Sequence, residues 1–313
     1  MKKNEKPLIS LIVPVFNESI SVSVFLHKVT KIFSLNKQFT YEIIFVNDGS
    51  TDNTMDVLLE IKKKYSRILI IDLSRNFGKE AALSAGLNYC KGDAAVPLDV
   101  DLQDPPELIL DMFNKWKEGY DVVVARRINR DTDTFLKRNT SKFFYKLYNK
   151  MSDVKIPENV GDFRLMDRSV VNAIKELPES NRFMKGIFNW VGFKTDFVDY
   201  VRPSRDSGET KFSGLSLFKL AIDGITSFSS TPLRIWFYLG FIVAFLSLLF
   251  ASYIIINKLF FDISTPGYAS LAVLIIFFGG LQIMGIGVLG EYLGRNYIES
   301  KRRPVFIVRK IYK

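Results

Sequence analysis

Soft metal and redox chemistry is almost absent from this 313-residue sequence, which holds one cysteine, Cys90, and one histidine, His27. A single cysteine excludes an internal disulfide and a cysteine-based zinc site. Cys90 reads as a small buried apolar residue, and His27 falls on a predicted surface helix. Any metal here must therefore be held by oxygen, which points to Mg2+ or Mn2+. No predicted strand is followed by G-x-G-x-x-G or by G-x-x-x-x-G-K-[ST], so neither a dinucleotide fold nor a P-loop ATPase is indicated. The opening residues Met1 to Lys6 carry no apolar signal region, so no cleaved leader is expected. Acidic residues are outnumbered 33 to 43 by lysine and arginine, a net charge of +10. That excess suits an anionic partner such as a phosphate or a lipid headgroup. No recognised nucleic-acid module is present, so nucleic acid is not an expected partner.

What the chain does contain is regular alternation. Leu8–Val13, Tyr41–Val46, Ile68–Leu73, Ala94–Leu98 and Asp121–Ala125 read as strands. Between them, Val24–Phe33, Thr51–Lys64, Lys79–Cys90 and Pro106–Lys117 read as helices, the second capped by Ser50 or Thr51. Strands separated by helices of this length imply βαβ units and a mostly parallel sheet covered on both faces. Ligands of such sheets bind beyond the carboxyl ends of the strands.

The last third differs. Leu233–Ile256 and Tyr268–Leu289 each run for roughly 20 residues, long enough to cross about 30 Å of hydrocarbon. Lys211, Lys219 and Arg234 flank the first, and Arg295, Lys301, Arg302 and Arg303 follow the second. The positive-inside rule then places the large domain and both termini in the cytoplasm. Phe212–Phe228 has the pattern of an interfacial amphipathic helix. Phe135–Met151 reads equally as interfacial or as a solvated basic helix packed on the sheet. The expected organisation is a catalytic domain over 1–210, an interfacial region over 211–231, two transmembrane helices within 232–294 and a basic tail over 295–313.

Three acidic motifs lie at the expected strand ends. Val13-Pro14-Val15-Phe16-Asn17-Glu18 closes the first strand, and Asn47-Asp48-Gly49-Ser50-Thr51-Asp52 closes the second. On adjacent parallel strands they read as a nucleotide pocket, since an acid on a turn can accept bonds from a base imide or a ribose hydroxyl. Asp99-Val100-Asp101-Leu102-Gln103-Asp104-Pro105-Pro106 follows the fourth strand. Asp99 and Asp101 share one side of an extended segment, and two close carboxylates call for a cation between them. Asp104 fits a helix-capping role better than a metal role.

These motifs resemble glycosyltransferase family 2, the inverting enzymes with a GT-A (Rossmann-like) nucleotide-sugar domain. With Ser74-Arg75-Asn76-Phe77-Gly78-Lys79 and two C-terminal spans, the chain is similar to the polyprenyl-phosphate glycosyltransferase branch, which holds dolichyl-phosphate mannose synthases and bactoprenol glucosyltransferases. The resemblance implies metal ligands at Asp99, Asp101 and Gln103, and uridine-contacting acids at Glu18 and Asp48, with Pro14 and Lys79 also in the donor site. Asn159-Val160-Gly161-Asp162-Phe163-Arg164-Leu165 matches the acceptor segment, with Asp162 at the catalytic-acid position and Arg164 facing a phosphate. Asp162 could serve as a base, orient the acceptor or a sugar hydroxyl, or only brace a loop by pairing with Arg164. A basic loop from Arg202 to Lys211 matches the loop that closes over the pyrophosphate. Arg205 and Lys211 would meet the donor, and Arg202, Arg126 and Arg138 the acceptor phosphate. The implied reaction is transfer of a hexose, glucose first, from a UDP-sugar to undecaprenyl phosphate at the inner membrane, supplying O-antigen or envelope glycan modification. Homo-oligomers are compatible with the resemblance. A processive polysaccharide synthase would need a Q-x-x-R-W segment, which Ser180-Asn181-Arg182-Phe183 does not supply. A non-catalytic nucleotide-sugar-binding scaffold would not need every acid.

Overall fold

The computed structural model describes residues 6–34, 36, 38–128, 149–152, 154–157, 159–177, 179–180, 182–201, 229–261 and 267–313. Its strands are β1 (Leu8–Val15), β2 (Thr40–Asn47), β3 (Ile68–Leu73), β4 (Ala94–Pro97), β5 (Val122–Arg127), β6 (Val160–Asp167), β7 (Thr195–Tyr200) and β8 (Val308–Tyr312). Between β1 and β5 lie α1 (Ser19–Ser34), α2 (Thr54–Lys64), α3 (Lys79–Tyr89) and α4 (Leu108–Lys117). Further on come α5 (Arg168–Glu176), α6 (Met184–Trp190) and two long helices, α7 (Thr231–Phe261) and α8 (Tyr268–Ser300).

The strands form one sheet in the order β7-β5-β6-β4-β1-β2-β3-β8. β4, β1, β2 and β3 run parallel, as the alternation of strands and helices requires. β6 enters antiparallel between β4 and β5, and β8 adds an antiparallel edge to β3. Period-two alternation divides the core. Ile9, Leu11 and Val13 pack with Phe25 of α1, Leu58 of α2 and Ile109 of α4. Ile12, Ile44 and Val46 face α3, α5 and α6 on the other side.

Three features differ from the sequence reading. β6, β7 and β8 were not expected as strands, because each is interrupted by charge. The capping of α2 also falls elsewhere. Its N-cap is Asn53, which makes no side-chain capping bond; Asp52 beside it accepts the Thr54 N–H at 3.0 Å, and Ser50 and Thr51 are engaged by Asn17. The basic segment after residue 295 is not a free tail either. Helix α8 continues to Ser300, and Val308–Tyr312 returns to the sheet edge.

α7 and α8 span 31 and 33 residues and are long and apolar enough to cross a membrane. Their mean hydropathy peaks at 2.1 and 1.8 over windows that are 0% and 6% buried. Phe237, Phe241, Ile276 and Ile283 are more than half exposed, an arrangement that water disfavours and lipid accepts. The chain's G-x-G-x-x-G, Gly285 to Gly290, lies inside α8, away from any strand-to-helix turn. The interfacial segment Phe212–Phe228 and nearly all of Phe135–Met151 lie outside the described residues.

α3 packs tightly against β1. Residues Ala81 through Leu87 are all buried, and a side chain at Gly86 would collide with Ile12 of β1. Gly86→Val should therefore lower stability by roughly 2 kcal/mol through overpacking, read as a drop of several degrees in thermal unfolding of the detergent-solubilised protein.

Candidate active site

The carboxyl ends of β1, β2 and β3 are knitted together by their own loops. Asn17 adopts a left-handed conformation, φ 56°. It donates its N–H to Ser50 Oγ at 3.0 Å, and its Oδ1 accepts the Thr51 N–H at 2.8 Å. Asp48 is buried, and its two oxygens accept the N–H groups of Phe77 and Gly78 at 2.8 and 2.9 Å. Burial pushes its carboxyl up, while those two amides and the nearby Arg75 pull it back. Gly49 makes this approach feasible. Its φ is +66°, and a Cβ there would strike the backbone of Arg75 and Asn76, so only glycine fits.

Beside this pocket three elements converge on one cation. Lys79 is the first residue of α3. Its Nζ lies 2.7 and 2.9 Å from the two oxygens of Asp99, on the loop after β4, and 3.1 Å from Asp162 Oδ2 on β6. β6 runs antiparallel to its neighbours, so Asp162, near its start, arrives at the same edge as the ends of the parallel strands. Burial works against the charge on Lys79, but Asp99 and then Asp162 outweigh it and hold the ammonium well above its ordinary range. Burial likewise opposes ionisation of Asp162. Lys79, Lys185 and Arg164 win, and its carboxyl is held below the usual range. The other oxygen of Asp162, Oδ1, is buried without a hydrogen-bond partner.

Glu80 was not singled out in the sequence. It follows Lys79 in the first turn of α3, and its Oε2 accepts the Met184 N–H at 3.3 Å. Burial, reinforced by Asp162, pushes its carboxyl up to about 7. Only its adjacency to Lys79 could have marked it beforehand.

The other expected residues separate into groups. Pro14 lies on β1 opposite Val46. Glu18 accepts from Ser21 Oγ at 2.6 Å and donates its N–H to Thr54 Oγ1 at 2.9 Å. Asp101 is exposed, with Oδ1 accepting the N–H of buried Gln103 at 3.1 Å. The cation beside Asp99 is Lys79, which joins it to Asp162 rather than to Asp101. Asp104 does not cap α4, whose N-cap is Glu107; it accepts the Tyr200 hydroxyl instead. Arg126 is held by Asp199 on the neighbouring strand through bonds of 2.7 and 2.9 Å. Arg164 does not face the open edge. It is 1% exposed, donates Nη2 to the Gly161 carbonyl and lies 4.3 Å over the Phe188 ring. Burial lowers it to about 10, against the pull of Asp162. Arg138, Arg202, Arg205 and Lys211 lie outside the described residues. Among the described residues no three His, Cys, Asp or Glu side chains converge as a metal cluster.

A mostly parallel sheet with acidic turns at its carboxyl edge is the α/β arrangement of the GT-A fold. The Glycosyl transferase family 2 model matches residues 10–175, and the chain belongs to that family. It is 51% identical to the prophage bactoprenol glucosyl transferase homolog of Escherichia coli K12, over 97% of this chain and 99% of that one. It is 52% identical to the bactoprenol glucosyl transferase of Shigella phage SfV, over 96% and 98%. The crystal structure of glucosyl-3-phosphoglycerate synthase from Mycobacterium tuberculosis with Mn2+, UDP and phosphoglyceric acid aligns at 19% identity with a TM-score of 0.48, covering 70% and 76%.

Two outcomes test this geometry. Gly49→Ala should disorder the Asp48 pocket and reduce nucleotide binding by about tenfold or more, the effect of strain above 1 kcal/mol, measured by titration with UDP. The second concerns Glu80. Its carboxyl ionises near 7 when folded instead of at its ordinary 4.5, so the native protein loses stability as pH rises across that window. Glu80→Gln does not titrate and should gain on the native protein by about 3 kcal/mol between pH 4.5 and pH 8, measured by denaturant unfolding at both pH values.

Proposed function

We propose that this protein transfers glucose from UDP-glucose to undecaprenyl phosphate, with inversion at the anomeric carbon, on the cytoplasmic face of a bacterial inner membrane. The observation that carries this reading is the Lys79–Asp99–Asp162 cluster beside the Asp48 pocket. It occurs in a chain about half identical, over nearly its whole length, to bactoprenol glucosyl transferases. The product would supply lipid-linked sugar for O-antigen or other envelope glycans.

In this reading Asp48, Glu18 and Pro14 hold the uridine end of the donor, and Lys79 directs its ammonium toward the diphosphate. A phosphate oxygen of the lipid forms the new bond to the anomeric carbon, and the bond to UDP breaks with its electron pair leaving on the diphosphate. The second pKa of a phosphate monoester is about 6, so the acceptor needs little deprotonation at neutral pH. A carboxylate held below its usual range is a weak proton acceptor. Asp162 therefore orients the acceptor or a sugar hydroxyl and keeps Lys79 in place. Buried Arg164 supports it electrostatically from behind, while Arg138, Arg202, Arg205 and Lys211 supply positive charge for phosphate oxygens.

Asp99, Asp101 and Gln103 would hold a divalent ion. Their oxygen donors suit Mg2+ or Mn2+, and with two carboxylates the remaining ligands must come from the substrate's phosphates and water. When bound, such an ion supplies Lewis-acid neutralisation of charge on the leaving diphosphate. Membrane placement is supported by the apolar helices α7 and α8. β8, which follows both, pairs with β3, which precedes both, so two crossings leave the catalytic sheet on one side. The basic flanks support the cytoplasm as that side.

The test is transfer of radiolabelled sugar from a panel of UDP- and GDP-sugars to undecaprenyl phosphate by detergent-purified protein. Labelled lipid from UDP-glucose is expected, abolished by EDTA and reduced by about three orders of magnitude in Asp101→Asn, the scale of losing one electrostatic contact to the transition state. No labelled lipid from any donor would overturn the proposal, transfer from another sugar alone would correct the donor, and near-normal turnover of Asp101→Asn would remove the metal assignment.

A further inference from the structure

We infer that strand β8, through Arg309, is a positioning element of the donor pocket, bracing the loop whose amides hold Asp48. The inference rests on the proposed donor site and adds to it a residue more than 200 positions away in sequence. The chain of contacts is continuous. The Arg309 Nη2 donates to the carbonyl of Ser74 at 2.7 Å, and Nη1 lies 3.6 Å from Asp72 Oδ2. The Ser74 N–H in turn donates to the Ile307 carbonyl at 2.9 Å. Ser74 is thus held on both its backbone groups by the C-terminal segment. Three residues later the same loop presents the Phe77 and Gly78 amides to Asp48.

A second branch reaches the same place. Asp72 is 7% exposed on its side chain and accepts from Asn47 Nδ2 at 2.8 Å. Asn47 immediately precedes Asp48, and its Oδ1 accepts the Ser50 N–H at 3.2 Å. Arg309 therefore touches the first links of both loops that form the pocket. The ion pair with Asp72, long at 3.6 Å and exposed on the Arg309 side, contributes little alone; the charge-assisted bond to Ser74 and the buried Asn47–Asp72 contact carry the brace. The ladder between β3 and β8 is irregular between Asp72 and Leu73, and Arg309 covers that point.

β8 also has a mechanical origin. It begins eight residues after α8 ends at Ser300, and Glu299 in the last turn of α8 accepts the Ser180 N–H at 2.9 and 3.0 Å. The second membrane-length helix is thereby fixed to the catalytic domain on one side and continues into the brace on the other.

The experiment uses the full-length protein with Arg309→Ala, Arg309→Lys and, as a control on the same strand, Lys310→Ala. Donor and acceptor kinetics are measured together with amide hydrogen exchange of residues 74–78. In Arg309→Ala the donor KM should rise about tenfold, the equivalent of one charge-assisted hydrogen bond. The kcat and the acceptor KM should stay unchanged, and the Phe77 and Gly78 amides should exchange faster. Arg309→Lys should fall between, and Lys310→Ala should match the native protein. An unchanged donor KM in Arg309→Ala, or unchanged amide protection, would overturn the inference. A loss of kcat with donor KM intact would reduce β8 to general structural support and overturn the positioning role. If the amides loosened while the native protein bound no UDP, the donor-site reading would fall and the role built on it with it.

Discussion

The Lys79 ammonium, set between Asp99 and Asp162, is the interaction on which the rest of the site depends. Two carboxylates from different elements cannot approach in a partly dry edge without a cation between them. Lys79 occupies the start of a helix, where the backbone dipole favours anions. Its position is therefore sustained by its partners and not by the helix. The fold invests accordingly. α3 is buried from Ala81 to Leu87 and lies against Ile12 with no room for a side chain at Gly86. β6 is inserted against the run of the sheet, which brings Asp162 to the edge where Asp99 emerges.

A second constraint acts across the chain. The sheet begins at β1 and is completed at its far edge by β8, after two helices of membrane length have intervened. The sheet and the two long helices are consequently joined at both ends of the helical pair. Tyr292 Oη of α8 donates to the Ser229 carbonyl at 2.7 Å, and Ser229 and Thr231 both donate to the Met151 carbonyl. A very hydrophobic acceptor confined to a bilayer needs its enzyme held at a fixed attitude, and contacts at the helix ends, together with β8, provide that attachment.

Much of this was legible in the sequence because it rests on local patterns. The five strands β1 to β5 alternate with helices of ordinary length, and the acids after β1, β2 and β4 fall at strand ends. What was not legible is long-range. β8 reads Val-Arg-Lys-Ile-Tyr, too short and basic to distinguish from a tail, and only its partner β3 makes it a strand. Arg164 carries a charge that sequence reasoning turns toward a phosphate, yet its place on β6 opposite Val124 turns it inward, where the Phe188 face and the Gly161 carbonyl receive it. Arg126 is likewise engaged by Asp199, a pairing set by the register of β5 with β7. The Asp99–Asp101 pattern asks for a cation between its own two carboxylates, whereas Lys79 joins Asp99 to Asp162. Which cation answers depends on α3 and β6, and no spacing within the motif contains that information.

The most direct measurement is equilibrium binding of UDP to the native protein and to Lys79→Ala, with thermal unfolding recorded on both. If the ammonium organises the donor edge, the variant should remain folded and cooperative while its affinity for UDP falls by about tenfold or more, as expected for loss of a charged contact. Equal affinity in the two proteins would contradict the account, because the Asp99–Asp162 edge would then be shown to assemble and bind without the cation that is held to join it.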